Sequence, residues 1–161
     1  VGDTLIDDPL RQILKEDQEK LPHLYDLRMD IELAASQKAA EQRESEDLER
    51  LRACLERMAA DKANQRLTLS DDIEFHLAIA QATHNFLRVH ILETIFDISN
   101  TYIDYIRTKI ITDTRTIPVV YAQHEAIFKA IEARQPQKAR DHMAAHLAWV
   151  AARIEKINTD A

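Results

Sequence analysis

Residues 68–85 read Thr68-Leu69-Ser70-Asp71-Asp72-Ile73-Glu74-Phe75-His76-Leu77-Ala78-Ile79-Ala80-Gln81-Ala82-Thr83-His84-Asn85. Thr68 and Asp71 have the spacing of a capping box, with Ser70 as a second cap candidate, and the apolar residues Ile73, Phe75, Leu77, Ile79 and Ala80 follow at once. This predicts a helix that stops near His84-Asn85. Asp72 and His76 are four apart, so both project from one face about a turn from each other. An ordinary core helix would place aliphatic residues there.

The same helical grammar extends in both directions. Upstream, Glu44 to Lys62 carries Leu48, Leu51, Leu55 and Met58 on one stripe. Before it, Pro22 precedes a helix with Leu24, Leu27, Ile31 and Ala35 at helical spacing, expected to run to about Ala40. Downstream, Phe86 to about Ile111 forms a long helix that is apolar over much of its surface, predicted to be central. Thr112 to Pro118 breaks it, Val119 to Arg134 resumes, and Pro136 suits the first position of a last helix to about Asn158. With no strand-like alternation of any length, the expectation is an all-α antiparallel bundle of six to seven helices. Residues 23–158 form the domain. Residues 1–22 read as a linker with a short amphipathic helix, Pro9 to Lys15.

Composition narrows the function classes. The chain has 161 residues, room for one good core, and 45% apolar against 30% charged residues, a soluble globular balance. Its single glycine is Gly2, whereas phosphate-cradling loops, dinucleotide fingerprints and nucleophile elbows all require glycine at tight turns. Lys plus Arg is 21 and Asp plus Glu 28, a formal charge of −7, with no basic stripe for a phosphate backbone. Direct nucleic-acid binding by this stretch is therefore not expected. No apolar run approaches a membrane span, and the lone Cys54 has no partner in the chain, which favours a reducing, cytoplasmic setting.

Seven histidines are present: His23, His76, His84, His90, His124, His142 and His146. If the helices that carry them adjoin, Asp72, His76, His124 and His146 converge on one interior point. One carboxylate and three imidazoles suit Zn(II), Ni(II) or Fe(II) better than Mg or Ca. The periodicity alone leaves the bland reading open: hydrogen-bonded core histidines and a local Asp72–His76 helix pair. Asp71 competes for the carboxylate role, and His142 lies one turn from His146.

Four segments resemble the FCD family, the C-terminal domain typified by FadR and attached to many GntR-type regulators. Asp72 to Asn85 resembles its D-x-x-F-H-x-x-I-A-x-A-x-x-N signature, and His124 to Ile131 its H-x-x-I-x-x-A-I segment. Ala139 to Leu147 is similar to its A-R-x-x-M-x-x-H-L segment, and Asp26 to Glu32 to the helix carrying R-x-x-x-E. The likeness spans about Leu24 to Ile157. It implies that Asp72, His76, His124 and His146 hold a divalent transition metal, Zn or Ni first. His146 is favoured over His142 by its M-x-x-H-L context.

The resemblance also implies a small carboxylate effector near the metal, and the segment style is similar to regulators of lactate, pyruvate or glycolate use. Arg28 suits such a carboxylate through its planar fork, although a surface pair with Glu32 fits it equally. Asn100, Tyr102 and Arg107 are further candidate pocket groups, Asn85 is a helix cap or ligand contact, and Trp149 is core or interface packing. The acidic run Glu41 to Glu49 reads as a solvated face. The expected protein is a dimeric repressor whose effector re-aims an N-terminal winged-helix DNA-binding domain absent from this chain. The rivals are a metal-dependent helical-bundle enzyme using the same four residues and a plain dimerisation module. The enzyme reading lacks H-E-x-x-H and di-iron E-x-x-H pairs.

Overall fold

The structure, a computed structural model, describes residues 9, 12, 20–64, 68–112 and 115–159, and the side chains of these apart from 21, 100–112 and 154–159. Among the described residues there are six helices and no strand: α1 (Leu21–Gln42), α2 (Ser45–Ala63), α3 (Leu69–Gln81), α4 (Phe86–Thr112), α5 (Ile117–Glu132) and α6 (Pro136–Thr159). The expected boundaries fall within about two residues of these, except that α3 ends at Gln81 rather than near His84-Asn85, because Ala82 to His84 form a turn. Apart from Pro9 and Gln12, both helical and exposed, the run Pro9 to Lys15 lies outside the described residues. No helix among the described residues is long and apolar enough to cross a membrane.

Side chains close several of the helix ends. The Thr68 hydroxyl accepts the Asp71 N–H at 3.2 Å and caps α3. After α3 the backbone turns at His84 with φ 52°, and after α5 at Arg134 with φ 51°, a left-handed conformation usually left to glycine. Arg134 then donates from Nη1 to the Glu41 carbonyl (2.9 Å) and from Nη2 to that of Arg43 (3.0 Å), satisfying groups at the end of α1. Asn85 caps the start of α4 rather than the end of α3: its Oδ1 accepts the Arg88 N–H at 3.2 Å.

The core is one principal cluster built from Leu51, Met58, Phe75, Ile79, Ile127, Ile131, Met143 and Leu147 with smaller residues between them, and Trp149 packs against its edge. The stripe predicted for α2 holds: Leu51, Leu55 and Met58 are buried there. Cys54 is buried too, beside the Arg57 guanidinium. Two expectations shift. The most widely connected helix is α1, which packs against α3, α4, α5 and α6, while α4 leaves Phe86, Leu87 and Ile91 exposed in its first turns. Within the acidic run, Asp47 is not solvated; it is buried, accepts the Glu44 N–H (2.9 Å) and pairs with His84 Nε2 (2.8 Å).

The inner face of α1 also differs from the apolar stripe read in the sequence. Leu27 is 47% exposed, and the buried positions are Leu24, Arg28, Glu32, Ala35, Ser36, Ala39 and Ala40. The helix is rotated so that two charged residues face inward, which an apolar count cannot detect. Truncating Leu51 to Ala should therefore lower the unfolding free energy by about 2–5 kcal/mol. Leu27→Ala should change it by no more than about 0.5 kcal/mol. Urea unfolding of both variants checks this, and a large loss at Leu27 would contradict the rotation.

Candidate metal centre

Three separate pieces of chain meet in the interior. α3 supplies Asp72 and His76 from one face, α5 supplies His124 in its second turn, and α6 supplies His146 between the buried Met143 and Leu147. One ligand atom from each of the four lies within 4.8 Å of the others. Ring centroids are 5.3 Å apart for His76–His124 and His76–His146, and 4.6 Å for His124–His146. The three imidazoles are buried, and the Asp72 side chain is 13% exposed, with Oδ1 3.5 Å from His124 Nε2.

The two competitors named in the sequence fall away. Asp71 turns outward to Arg57 Nε (2.8 Å) and to the Thr68 hydroxyl. His142, one turn before His146 on α6, is exposed.

Neighbouring side chains fix which nitrogens face the cluster. Glu32 Oε2 accepts from His76 Nδ1, and an ionised carboxylate has no proton to give, so the His76 lone pair is on Nε2. Gln123 Oε1 lies 2.8 Å from His146 Nδ1 and, as an amide oxygen, accepts there, leaving His146 Nε2 for the cluster. Outer partners of this type orient metal-binding imidazoles and set their tautomers. His76 Nε2 and both His124 nitrogens are buried without a hydrogen-bond partner. Buried polar atoms without partners are uncommon, and three in one cluster mark a place that needs an outside group.

Electrostatics favour the neutral form of His124 and His146. Burial pushes His124 down to about 4, against the pull of Asp72, and burial with the neighbouring His124 and His76 pushes His146 well below the ordinary range. Burial opposes ionisation of Glu32, but Arg28 and His76 outweigh it and hold the carboxyl down at about 2. The neutral imidazole is the form that binds metal.

Arg28 is paired with Glu32, Nε to Oε1 at 2.5 Å, but the pair is buried rather than a surface pair. Its guanidinium stacks over the Phe96 ring, 4.7 Å from the centroid, and near Tyr25 at 5.6 Å. Among the described residues its hydrogen bonding is through Nε alone, to Glu32. Asn100, Tyr102 and Arg107 lie on α4, and their side chains fall outside the described ones. Sequence reasoning treated Glu32 as a mere partner and missed Gln123. The available signals were a carboxylate in register with the inward face of α1, and an amide next to His124.

The depressed histidines predict acid sensitivity of the metal-free domain. The unfolded chain takes up protons near pH 6.5, whereas folded His124 waits until about pH 4. Stability is therefore fully present above about pH 6.5 and falls as pH drops from there toward 4. Urea midpoints across that range, after chelation, check the sign.

A family model described as the FCD domain matches residues 23–148. Among curated proteins, LutR, an HTH-type transcriptional regulator of Bacillus subtilis (strain 168), is 30% identical over 146 residues, 88% of this chain and 65% of that protein. An Escherichia coli (strain K12) protein named as an L-lactate dehydrogenase operon regulator is 26% identical over 152 residues, 94% of this chain and 58% of its own length. The chain thus spans roughly three-fifths of the length of these relatives, which are transcription regulators and not enzymes. The solved structure of E. coli McbR/YncC superposes with a TM-score of 0.72 at 17% identity, over 87% of this chain and 66% of that one, and supports the fold. With its family model spanning all but the last turns of the bundle, the chain belongs to the FCD domain family.

Proposed function

We propose that this domain is the metal-dependent effector sensor of a GntR-type, DNA-binding transcription regulator, responding to a small organic acid. The observation that carries the reading is the convergence of Asp72, His76, His124 and His146, with His76 Nε2 and both His124 nitrogens buried and unpartnered. The donor set of three imidazole nitrogens and one carboxylate oxygen fits Zn(II) or Ni(II). Asp72 Oδ1, His76 Nε2, His124 Nε2 and His146 Nε2 would hold the ion. Bound there, the metal supplies a positive charge and open positions that a carboxylate can occupy.

The chain's own residues do the rest. Glu32 and Gln123 keep two imidazoles in the binding tautomer, and Arg28 places a guanidinium fork beside the cluster, suited to a second contact with the acid. A relative named for regulation of an L-lactate dehydrogenase operon supports a 2-hydroxy or 2-oxo acid such as lactate, pyruvate or glycolate. Asn100 and Arg107 on α4 are proposed as further ligand contacts. The protein would act in the cytoplasm as a homodimeric repressor and contact DNA through an N-terminal winged-helix domain joined by residues 1–22. Effector binding would work by favouring one helix packing over another.

Elemental analysis of the purified domain should find about one Zn or Ni per chain, lost in His124→Ala and in His146→Ala. Glu32→Gln should weaken metal affinity about 10- to 100-fold while retaining the ion at saturation. Lactate, pyruvate or glycolate should raise the melting temperature of the metal-loaded domain and leave the chelated one unmoved. A domain that takes up no stoichiometric Zn(II) or Ni(II) on reconstitution would end the metal reading. A metal-loaded domain blind to every small carboxylate would end the effector reading alone.

A further inference from the structure

α3 presents two residue pairs at the same spacing to two different places. Asp72 and His76 turn into the histidine cluster, while Ile73 and Leu77, one position on and so about 100° around the helix, line a groove on its outer flank. The groove encloses about 560 Å³ between α3 and α4. Ile73, Leu77 and Phe96 make it apolar, Glu74, Glu93 and Asp97 rim it with carboxylates, and no cationic side chain is among the described residues that line it. Glu74 is shared with Arg57 and Glu93 with His90 at 3.3 Å, both in pairs open to solvent. Such pairs are weak, so Glu74 and Glu93 keep most of their negative charge on the rim.

The chain enters the bundle beside this groove. Leu24, in the first turn of α1, packs on Ile95 and Ile98 of α4, the residues that flank Phe96 and Asp97 in sequence. Lys20, the residue before α1, is thus about one helical turn from this contact with α4. Six positions upstream ends Pro9-Leu10-Arg11-Gln12-Ile13-Leu14-Lys15, with two cations and no acid in a region otherwise acidic on both sides. Helical spacing puts Leu10, Ile13 and Leu14 on one face and Arg11 and Lys15 on another. Pro9 and Gln12, which belong to neither the apolar face nor the charges, are helical and exposed. The intervening residues 16–20 reach up to about 17 Å when extended.

We propose that residues 9–15 of the chain itself occupy this groove, Leu10, Ile13 and Leu14 against Ile73, Leu77 and Phe96, with Arg11 and Lys15 against the carboxylate rim. The apolar face and the paired charges complement the groove in both respects, and the short connection gives the segment a high local concentration there. Phe96 also stands between the groove and the cluster: its ring is 6.0 Å from that of His76 and lies under the Arg28 guanidinium. A displacement of α3 by metal or effector would thus move the seat of the segment that leads toward the N-terminus. That coupling rests on the sensor reading; the docking does not.

Trypsin cleavage after Arg11 and Lys15, followed by mass spectrometry on the full chain, tests the docking without touching the core. Cleavage should be at least about tenfold slower than in a free peptide of residues 1–20. Leu10→Asp with Ile13→Asp should bring it to the rate of the matching peptide, and Glu74→Lys with Glu93→Lys should accelerate it as well. Cleavage of the unaltered chain at the peptide rate would overturn the proposal. In a Cys54→Ala background, Ile13→Cys and Leu77→Cys should join within one chain under mild oxidation, and Ile13→Cys with Ala145→Cys on exposed α6 should not. Equal joining of both pairs, or joining only between chains, would overturn it too, the latter giving the groove to a second copy. A joining rate indifferent to Zn(II) would remove the coupling and leave the docking standing.

Discussion

The interior of this bundle is organised around a buried carboxylate, Glu32, held between the Arg28 guanidinium and the His76 imidazole. Taking three polar groups out of water is costly, and it is tolerated because each satisfies another. Removing one partner of such a buried pair typically costs about 3–5 kcal/mol, since the remaining charge is left without compensation. The inward rotation of α1, the exposure of Leu27 and the stacking of Arg28 on Phe96 are consequences of placing that pair inside. So is the tautomer of His76, and through it the direction in which its lone pair points.

The chain of polar contacts also explains why α1 is the most widely connected helix. Tyr25 donates to the Leu147 carbonyl on α6 at 2.9 Å, Arg28 lies over Phe96 on α4, and Glu32 reaches His76 on α3. One face of one helix thus touches three elements with three polar or cationic groups, each of fixed geometry. A packing made only of aliphatic contacts could slide; these contacts define one register, and an ion or acid that altered any of them would be felt along α1.

Near-absence of glycine shapes the rest. The tight reversals after α3 and α5 use His84 and Arg134 in the left-handed region, and both residues then work as clasps, to Asp47 and to the carbonyls of Glu41 and Arg43. The backbone cost of that conformation is offset by contacts that a glycine could not make.

The amino-acid sequence by itself determined the helices and their ends, because apolar period, caps and prolines are local signals read within a turn or two. It also carried the family resemblance and, through it, the choice of Asp72, His76, His124 and His146. Only the tertiary structure decided that these four, drawn from stretches up to 74 positions apart, meet within 4.8 Å. It alone turned Asp71 toward Arg57, left His142 exposed, buried Arg28 with Glu32, and brought Gln123 to His146. The physical reason is that the rotation of a helix about its axis is fixed by what its neighbours offer. α1 shows it: leucines favoured one face, and the balance of charge pairing with a distant histidine selected another.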